Sequence, residues 1–506
     1  MKIRELIAGV EIKTSRGAEG KVKGITSDSR SVKHGWMFIC IKGMHRDGHD
    51  YIDEARKNGA VFLVGEDEER LARSGVGYAV CENARLAEAV IWNNRWGNPS
   101  SGMKKIAVTG SMGKTSTVFI LREILRRAGH RVGIVTTVRT MAEDDILDMG
   151  QNGGSSLTDR VGAMTTPDPE YFTGAVREMR KRGCDVLIYE ASSHAIDMHK
   201  TDAFLPDIVL FTNLTEEHLD YHGDMETYLG VKASLVRRAP VCIANADDPR
   251  FGMLTEQAEN TRFIKCSMIP DRLAEVDVCA LRYRSLGCDG IEYVYFSGPA
   301  VFRVTSPIIG SHSVYNTMLA ARCAMECGVD PLTVKSALAS LRPVDGRMCR
   351  VEVGADAPVS LFIDYAHTAA ALESVLKSLS EIKGEGQRLI VVFGCGGDRD
   401  PAKRSKMGAA AQKYADLTVV TSDNARSEDP LAIISQILSG MSEDKPYAVI
   451  PDREEAIRYA VENAREGDII LLAGKGHEKY EITKEGKRPF DEEKIAKEAV
   501  RHCFGD

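Results

Sequence analysis

The segment Lys105-Ile-Ala-Val-Thr-Gly-Ser-Met-Gly-Lys-Thr-Ser-Thr117 restricts this chain more than any other. An apolar strand runs into a loop bounded by Gly110 and Gly113, and Lys114 and Thr115 then open a helix. Backbone N–H groups at a helix N-terminus have no partner within the helix and point outward at anions. The two glycines allow close approach to a phosphate. Lys114 offers a cation to terminal phosphates, and Thr115 a hydroxyl to the accompanying magnesium. Gly110, Ser111, Met112, Gly113, Lys114, Thr115 and Ser116 are therefore the expected cradle. Val108 stands where the usual motif has its first glycine, so the loop is a shortened variant. The bland alternative is a glycine turn joining strand to helix. The Lys-Thr pair after an apolar strand favours a nucleoside triphosphate.

A chain of 506 residues has room for about three domains. The formal net charge of -7 gives no general attraction to nucleic acid or to anionic membranes. Met1–Val10 lacks the apolar core of a secretory signal, and no apolar run approaches the roughly 20 residues that span a bilayer. The 12 cysteines include no Cys-x-x-Cys pair, and Cys184, Cys242 and Cys279 fall inside apolar segments. Reduced, buried thiols in a cytoplasmic protein account for them. Cys323 and Cys327 sit one helical turn apart without a second pair to complete a metal site.

Short strands (Met37–Ile41, Val61–Val64) and helical stretches such as Ile52–Asn58 fill residues 1–101, which end in the turn-rich linker Gly97-Asn-Pro-Ser-Ser-Gly102. In 102–343, apolar runs at Ile106–Thr109, Val132–Val135, Val186–Glu190, Ile208–Thr212 and Val241–Asn245 alternate with helices. Near-continuous apolar runs suit parallel strands covered on both faces, hence an α/β, mostly parallel, doubly wound sheet with ligands at its carboxyl edge. A second alternation in 344–506 (Leu361–Asp364, Leu389–Gly394, Leu417–Thr421, Ile469–Ala473) predicts a third, Rossmann-like α/β domain. Its strands empty into Asp364-Tyr-Ala-His367, Gly394-Cys-Gly-Gly-Asp-Arg399, Ser422-Asp-Asn-Ala-Arg426 and Gly474-Lys-Gly-His-Glu478, loops expected to converge on a binding site. Met141–Asp159 is acidic and glycine-rich and carries no readable role.

Glu190 ends a buried strand beside the phosphate loop, where a carboxylate can hold magnesium; capping the next loop is its alternative role. The next strand leads to Thr212-Asn-Leu-Thr-Glu-Glu-His218-Leu-Asp220-Tyr-His222, of which His222 alone reads as solvated polarity. Lys232, in the helix that follows, reads by spacing as a surface lysine.

These segments together resemble the Mur ligase family, of the type known as UDP-N-acetylmuramoyl-tripeptide synthetases. The similarity extends to Thr26-Ser-Asp-Ser-Arg30, Gly43-Met-His-Arg-Asp-Gly48, Thr165-Thr-Pro167, Glu190-Ala-Ser-Ser-His194 and His218–Asp224, besides the four loops of the last domain. The resemblance implies an ATP-dependent ligase of peptidoglycan precursor synthesis. ATP phosphorylates a carboxylate, and an amine then attacks the acyl phosphate to form an amide. It implies magnesium held by Thr115 and Glu190, and by His218 and Lys232, the latter carrying a carbamate formed from carbon dioxide. It sets Asn316, Arg347 and Asp364 on ATP. Lys114, Glu190, His218, Lys232 and Arg347 are then the catalytic set. Ser27, Ser29, His45 and Arg46 would meet the UDP moiety in 1–101, and Thr165, Thr166, Ser192 and Lys200 the muramoyl peptide. Arg399, Asp423, Asn424, Arg426, Gly474 and Glu478 would take the amino acid.

Arg426 suits the distal carboxylate of meso-diaminopimelate, because a guanidinium binds a carboxylate through two parallel hydrogen bonds. The chain departs from the family at Ala425, usually proline, at Met198 and Lys200, usually Gln and Arg, and at Met112 and Ser313, usually Asn. An L-lysine-adding enzyme, a divergent or folylpolyglutamate-like ligase on another acceptor, and a non-catalytic nucleotide-binding regulator are the alternatives. The expected partners are small molecules, with no nucleic acid and no membrane insertion, and the chain is expected to act as a cytoplasmic monomer.

Overall fold

The structure, a computed structural model, describes residues 1–43, 46–147, 165–354 and 357–505. Most of the Met141–Asp159 segment, and His45, lie outside the described residues. Three large sheets follow one another along the chain. The first orders its strands Ile12–Arg16, Gly77–Cys81, Ala60–Gly65, Trp36–Ile39 and Ile25–Thr26, parallel except at the Ile12–Arg16 edge.

The second sheet is the widest, with 11 strands. Lys104–Thr109 lies near its middle, parallel to Ile208–Phe211 on one side and Val186–Glu190 on the other. Val132–Val135, Val241–Asn245 and Arg262–Ser267 extend the parallel part. Strands expected to be apolar throughout are buried throughout: every residue of Val132–Val135, Val186–Glu190 and Ile208–Phe211 is buried. Successive residues face opposite cores, Ile106 and Val108 into one cluster and Ala107 into the other.

Both edges of this sheet turn antiparallel, which the sequence reading missed. Val278–Ser285, Ile291–Ser297 and Ala300–Ser306 form a meander at one edge, and Thr140–Ala142 and Asp145–Ile146 fold back at the other. In Ile291–Ser297 burial alternates as in a strand covered on one face only, a weaker signal than a continuous apolar run.

The third sheet orders Cys349–Arg350, Ser360–Asp364, Ile469–Ala473, Leu389–Phe393, Leu417–Val420 and Tyr447–Val449. The four strands named from the sequence are mutually parallel, so their loops leave one edge together. A hairpin of Tyr480–Thr483 and Gly486–Pro489 follows the last of them. No helix among the described residues is long and apolar enough to cross a membrane. All 12 cysteines are free.

The first two sheets are joined through Trp96, which lies between the guanidinium groups of Arg95 and Arg177, 4.3 and 4.1 Å from the ring centre. The last two are linked by Leu341–Met348. There Gly346 takes a φ of 68°, and a Cβ would fall 2.2 Å from the His477 nitrogen, so the turn requires glycine.

Candidate active site

A cleft of about 1700 Å³ opens between the carboxyl edges of the second and third sheets. Its floor is the phosphate loop. Gly113 caps the helix Lys114–Arg127 with φ 82°, and Asn316 Oδ1 sits where its Cβ would be, at 2.5 Å. At Gly110 a Cβ would lie 2.0 Å from Thr212 Oγ1. The neighbouring strand end clamps the loop from beneath: the Met112 N–H donates to Asn213 Oδ1 at 2.9 Å, and Thr212 Oγ1 donates to the Met112 carbonyl at 2.6 Å. Asn316 also accepts from Thr117 Oγ1 at 3.3 Å, which explains its buried position against the loop.

Glu190 is 1% exposed, and its carboxylate turns to Thr115 and Thr137 rather than to the loop that follows it. Its Oε1 accepts from Thr115 Oγ1 at 2.8 Å and from the Thr137 N–H at 3.1 Å, and its Oε2 from Thr137 Oγ1 at 3.0 Å. A carboxylate and a hydroxyl, both hard oxygen donors, therefore meet beside the phosphate cradle, a pairing that fits magnesium. Among the described residues, no three His, Cys, Asp or Glu side chains gather to hold a metal. The remaining coordination would fall to phosphate oxygens and water.

Lys232 is no surface lysine. It is 1% exposed, its Nζ donates to the Gly110 carbonyl at 3.0 Å, and it lies 4.7 Å from the Tyr228 ring centre. Burial, with Lys114 nearby, pushes its amine well below the usual lysine range. A neutral amine is the form that captures carbon dioxide, so this position fits a carbamate. Lys114 is lowered too, mainly by burial, and its Nζ reaches the Gly110 and Ser111 carbonyls at 2.9 and 2.7 Å. His222, read as solvated, is buried, pairs with Ser193 Oγ at 2.9 Å and stacks on Tyr228. His218 stands at the head of a short helix with φ 58°, its imidazole pushed down to about 4 by burial.

Glu217 was missed. Burial works against its ionisation, yet His218, Lys114, His367 and Lys232 around it hold its carboxyl below the ordinary value. An acid flanking the histidine of a strand-end loop was the available signal. His194, whose ring meets those of His218, Tyr221 and His222, was equally unassigned.

From the far wall, Arg347 stacks over Tyr365 with its carbon 4.7 Å from the ring centre and points Nη2 at Thr115 Oγ1, 3.5 Å away. Asp364 is buried and orients the turn: its Oδ2 accepts from Met348 N–H and its Oδ1 from Ala366 N–H, both at 2.7 Å. Arg139 and Asp345 form an ion pair across the same gap.

The third-sheet loops line the other end of the cleft. Asn424 Nδ2 donates to Glu478 Oε2 at 2.8 Å, and its Oδ1 accepts from Ile482 N–H at 2.9 Å. Burial raises Asp423, but Lys475 Nζ at 3.2 Å and Arg453 overcome it and keep the carboxyl below its ordinary range. Burial pushes Glu478 up. Arg426 takes φ 52°, its N–H donates to the Ile482 carbonyl at 3.1 Å, and its Nη1 to the Gly397 carbonyl at 2.7 Å. These tertiary bonds fix the loop that a proline at 425 would have stiffened. Arg399 is exposed at the cleft mouth, and Gly474 borders Asp423, Oδ2 lying 3.3 Å from a Cβ built there.

Thr165, Thr166, Ser192, Met198 and Lys200 also line the cleft. Thr166 Oγ1 donates to the Glu190 carbonyl at 2.9 Å, and Lys200 pairs with Asp168 at 2.8 Å. Ser27, Ser29 and Arg46 lie apart from it in the first domain. Ser29 Oγ donates to Glu54, Arg46 is exposed, and Ser27 bonds Glu88, a carboxyl that burial raises to about 7.

Known proteins are similar to this chain in sequence and fold. The family profile described as Mur ligase middle domain matches residues 108–324. The glutamate ligase domain of Mur ligases matches 346–476, and the profile described as Mur ligase family, catalytic domain, matches 21–94. The chain is 36% identical over 511 residues to the UDP-N-acetylmuramoyl-L-alanyl-D-glutamate–2,6-diaminopimelate ligase of Syntrophomonas wolfei, covering 99% of each chain. The chain belongs to the Mur ligase family. With that membership comes the enzyme class, an ATP-dependent ligase that forms an amide bond. The correspondingly named ligase of Caldanaerobacter subterraneus is also 36% identical, with 99% of each chain covered. A solved structure of a ligase of that name superposes with a TM-score of 0.68 at 27% identity, over 99% of both chains.

Proposed function

We propose that this Mur ligase joins an amino group of meso-diaminopimelate to the D-glutamyl carboxylate of UDP-N-acetylmuramoyl-L-alanyl-D-glutamate, at the expense of ATP. The observation that carries the reading is the composition of the cleft. One wall holds a phosphate cradle with the Thr115–Glu190 pair, and the loops at the other end of the cleft bring Asp423 and Glu478 together with Arg399 and Arg426. Diaminopimelate carries two ammonium and two carboxylate groups. Asp423 and Glu478 suit its ammonium charge, and Arg426 and Arg399 its carboxylates. Lysine lacks the distal carboxylate and would leave Arg426 facing an ammonium.

In this reading the phosphate loop N–H groups and Lys114 hold the ATP phosphates, and Asn316, Arg347 and Asp364 secure the nucleotide from the two sides of the gap. Magnesium, when bound at Thr115 and Glu190, neutralises phosphate charge; His218 and carbamylated Lys232 would serve a second ion near the acceptor. Thr165, Thr166, Ser192 and Lys200 line up the muramoyl peptide so that its carboxylate oxygen attacks the γ-phosphorus and ADP departs. Ser27, Ser29, His45 and Arg46 take the uridine diphosphate end. The amine held by the third-sheet loops then attacks the acyl phosphate. Arg347 lies where charge grows during both transfers, and inorganic phosphate leaves. We divide the chain into UDP-binding (1–101), ATP-binding (102–343) and amino-acid-binding (344–506) domains, working as a cytoplasmic monomer.

The test is phosphate release from ATP with the muramoyl dipeptide and either meso-diaminopimelate or L-lysine. Release requiring the dipeptide and favouring diaminopimelate is expected. Preference for lysine would overturn the role given to Arg426, and silence with both would mark a different acceptor.

A further inference from the structure

Behind the amino-acid loops lies a guanidinium that no step above uses. Arg453 begins the helix Arg453–Glu462 and is 2% exposed. Its Nη1 donates to the Ser422 carbonyl at 3.1 Å, its Nη2 to the Ala473 carbonyl at 2.8 Å, and its Nε to Glu492 Oε1 at 2.6 Å. Ser422 immediately precedes Asp423, and Ala473 immediately precedes Gly474. The strands that deliver these two loops are not neighbours, because Leu389–Phe393 runs between them. No ladder of the sheet therefore ties one loop to the other; Asn424 and Glu478 join them farther out, and Arg453 reaches across the intervening strand to hold the base of both. Lys475, fully buried, adds a further tie from the Gly474 side, reaching Asp423 and Asn424 at 3.2 Å each. Glu492, 3% exposed at the start of the last helix, is the counter-ion that lets the guanidinium remain charged in the interior.

We propose that Arg453, with Glu492 as its anchor, is a positioning residue for the incoming amino acid. It fixes the spacing between the loop bearing Asp423, Asn424 and Arg426 and the loop bearing Gly474 and Glu478. The proposal rests on assigning those loops to the amino-acid substrate. Its geometric basis is the planar fork: two parallel N–H directions serve two carbonyls while Nε serves a carboxylate, which a lysine ammonium on a flexible stem cannot reproduce. Asp423 and Glu478 contact the substrate from different loops, so a change in loop spacing weakens its binding without touching the phosphate cradle.

The experiment compares wild type, Arg453→Lys and Glu492→Gln in phosphate release. KM for diaminopimelate, ATP and the muramoyl dipeptide are each measured well below the thermal midpoint of every variant. Arg453→Lys keeps the buried charge and so guards against simple failure to fold. It is expected to raise the diaminopimelate KM about tenfold or more, with the other two KM values within about twofold. Glu492→Gln should shift the same parameter in the same direction by less. A residue with only a structural role would lower the folded fraction, hence kcat, and leave that KM in place. An unchanged diaminopimelate KM in Arg453→Lys, or an equal rise in the ATP KM, would overturn the proposal alone. Wild-type silence with every amino acid would overturn the substrate reading and the proposal together.

Discussion

Thr115 and Glu190 lie 75 residues apart in the chain, yet the threonine hydroxyl donates to the carboxylate at 2.8 Å. Thr115 opens the helix that follows the strand Lys104–Thr109, and Glu190 ends the parallel neighbour Val186–Glu190, so both arrive at one edge. Glu190→Gln keeps the shape and the acceptor oxygen but removes the charge. We expect kcat for phosphate release to fall by about 100-fold or more with little change in thermal midpoint. A fall of less than about threefold would remove Glu190 from the catalytic set.

Arg426→Ala removes the cation assigned to the distal carboxylate. A lost charge-assisted pair at a largely desolvated site costs about 1.5–3 kcal/mol, so the diaminopimelate KM should rise by roughly 10- to 100-fold. The ATP KM should stay within about twofold. Steady-state kinetics with each substrate varied in turn checks this, and parallel rises would mean that the arginine shapes the whole cleft.

Gly113→Ala places a methyl 2.5 Å from Asn316 Oδ1 at a residue whose φ is 82°. Strain of about 1–2 kcal/mol adds to the displacement of Asn316. Calorimetric titration with an ATP analogue should show affinity lowered about tenfold or more while the far-ultraviolet circular dichroism is retained.

Burial, with Lys114 nearby, lowers the Lys232 amine well below the usual lysine range, the direction that favours uptake of carbon dioxide. Activity should fall when the enzyme is stripped of bicarbonate by prolonged acid exchange and return on its addition. Lys232→Ala should lose activity and regain a measurable part with millimolar acetate or propionate. No response to either treatment would mean that the amine works unmodified.

His312 faces Ser378 across the gap between the second and third domains at 3.2 Å, and burial lowers its imidazole from 6.5 to about 4. The unfolded chain thus takes up a proton near pH 6.5 that the folded chain refuses until near pH 4. Between those values the unfolded state binds more protons, so stability is lost as pH falls through the window and is unaffected above it. His312→Gln should lessen the acid loss by an amount on the order of 1–2 kcal/mol at pH 4.5, read from urea unfolding. His218 and His477, also at about 4, preserve part of the slope.

What the sequence disclosed follows the strength of local signals. Glu190 was legible because a continuous apolar run announces a buried strand and therefore where it ends. The third-sheet loops were legible for the same reason. Lys232 was not, because helical spacing leaves a lysine ambiguous, and its burial is a tertiary matter, seen in its bond to Gly110, 122 residues away. The hairpin strand Gly486–Pro489, exposed at every residue, carries no apolar pattern to read. Arg453 follows an acid and precedes two more, the usual look of an exposed helix start, and its burial comes entirely from tertiary contacts. Glu217 was overshadowed by its histidine neighbour.

Arg347 belongs to the segment that leads into the third domain, yet its guanidinium reaches the threonine of the phosphate loop. On the assignment proposed above, the chain completes its phosphate-handling machinery with a part borrowed from the half that selects the amine. An enzyme wired in this way has little means of activating its acceptor carboxylate while the amine's pocket stands away. On the assignment proposed above, the approach of the third domain itself would then shield the reactive acyl phosphate from water.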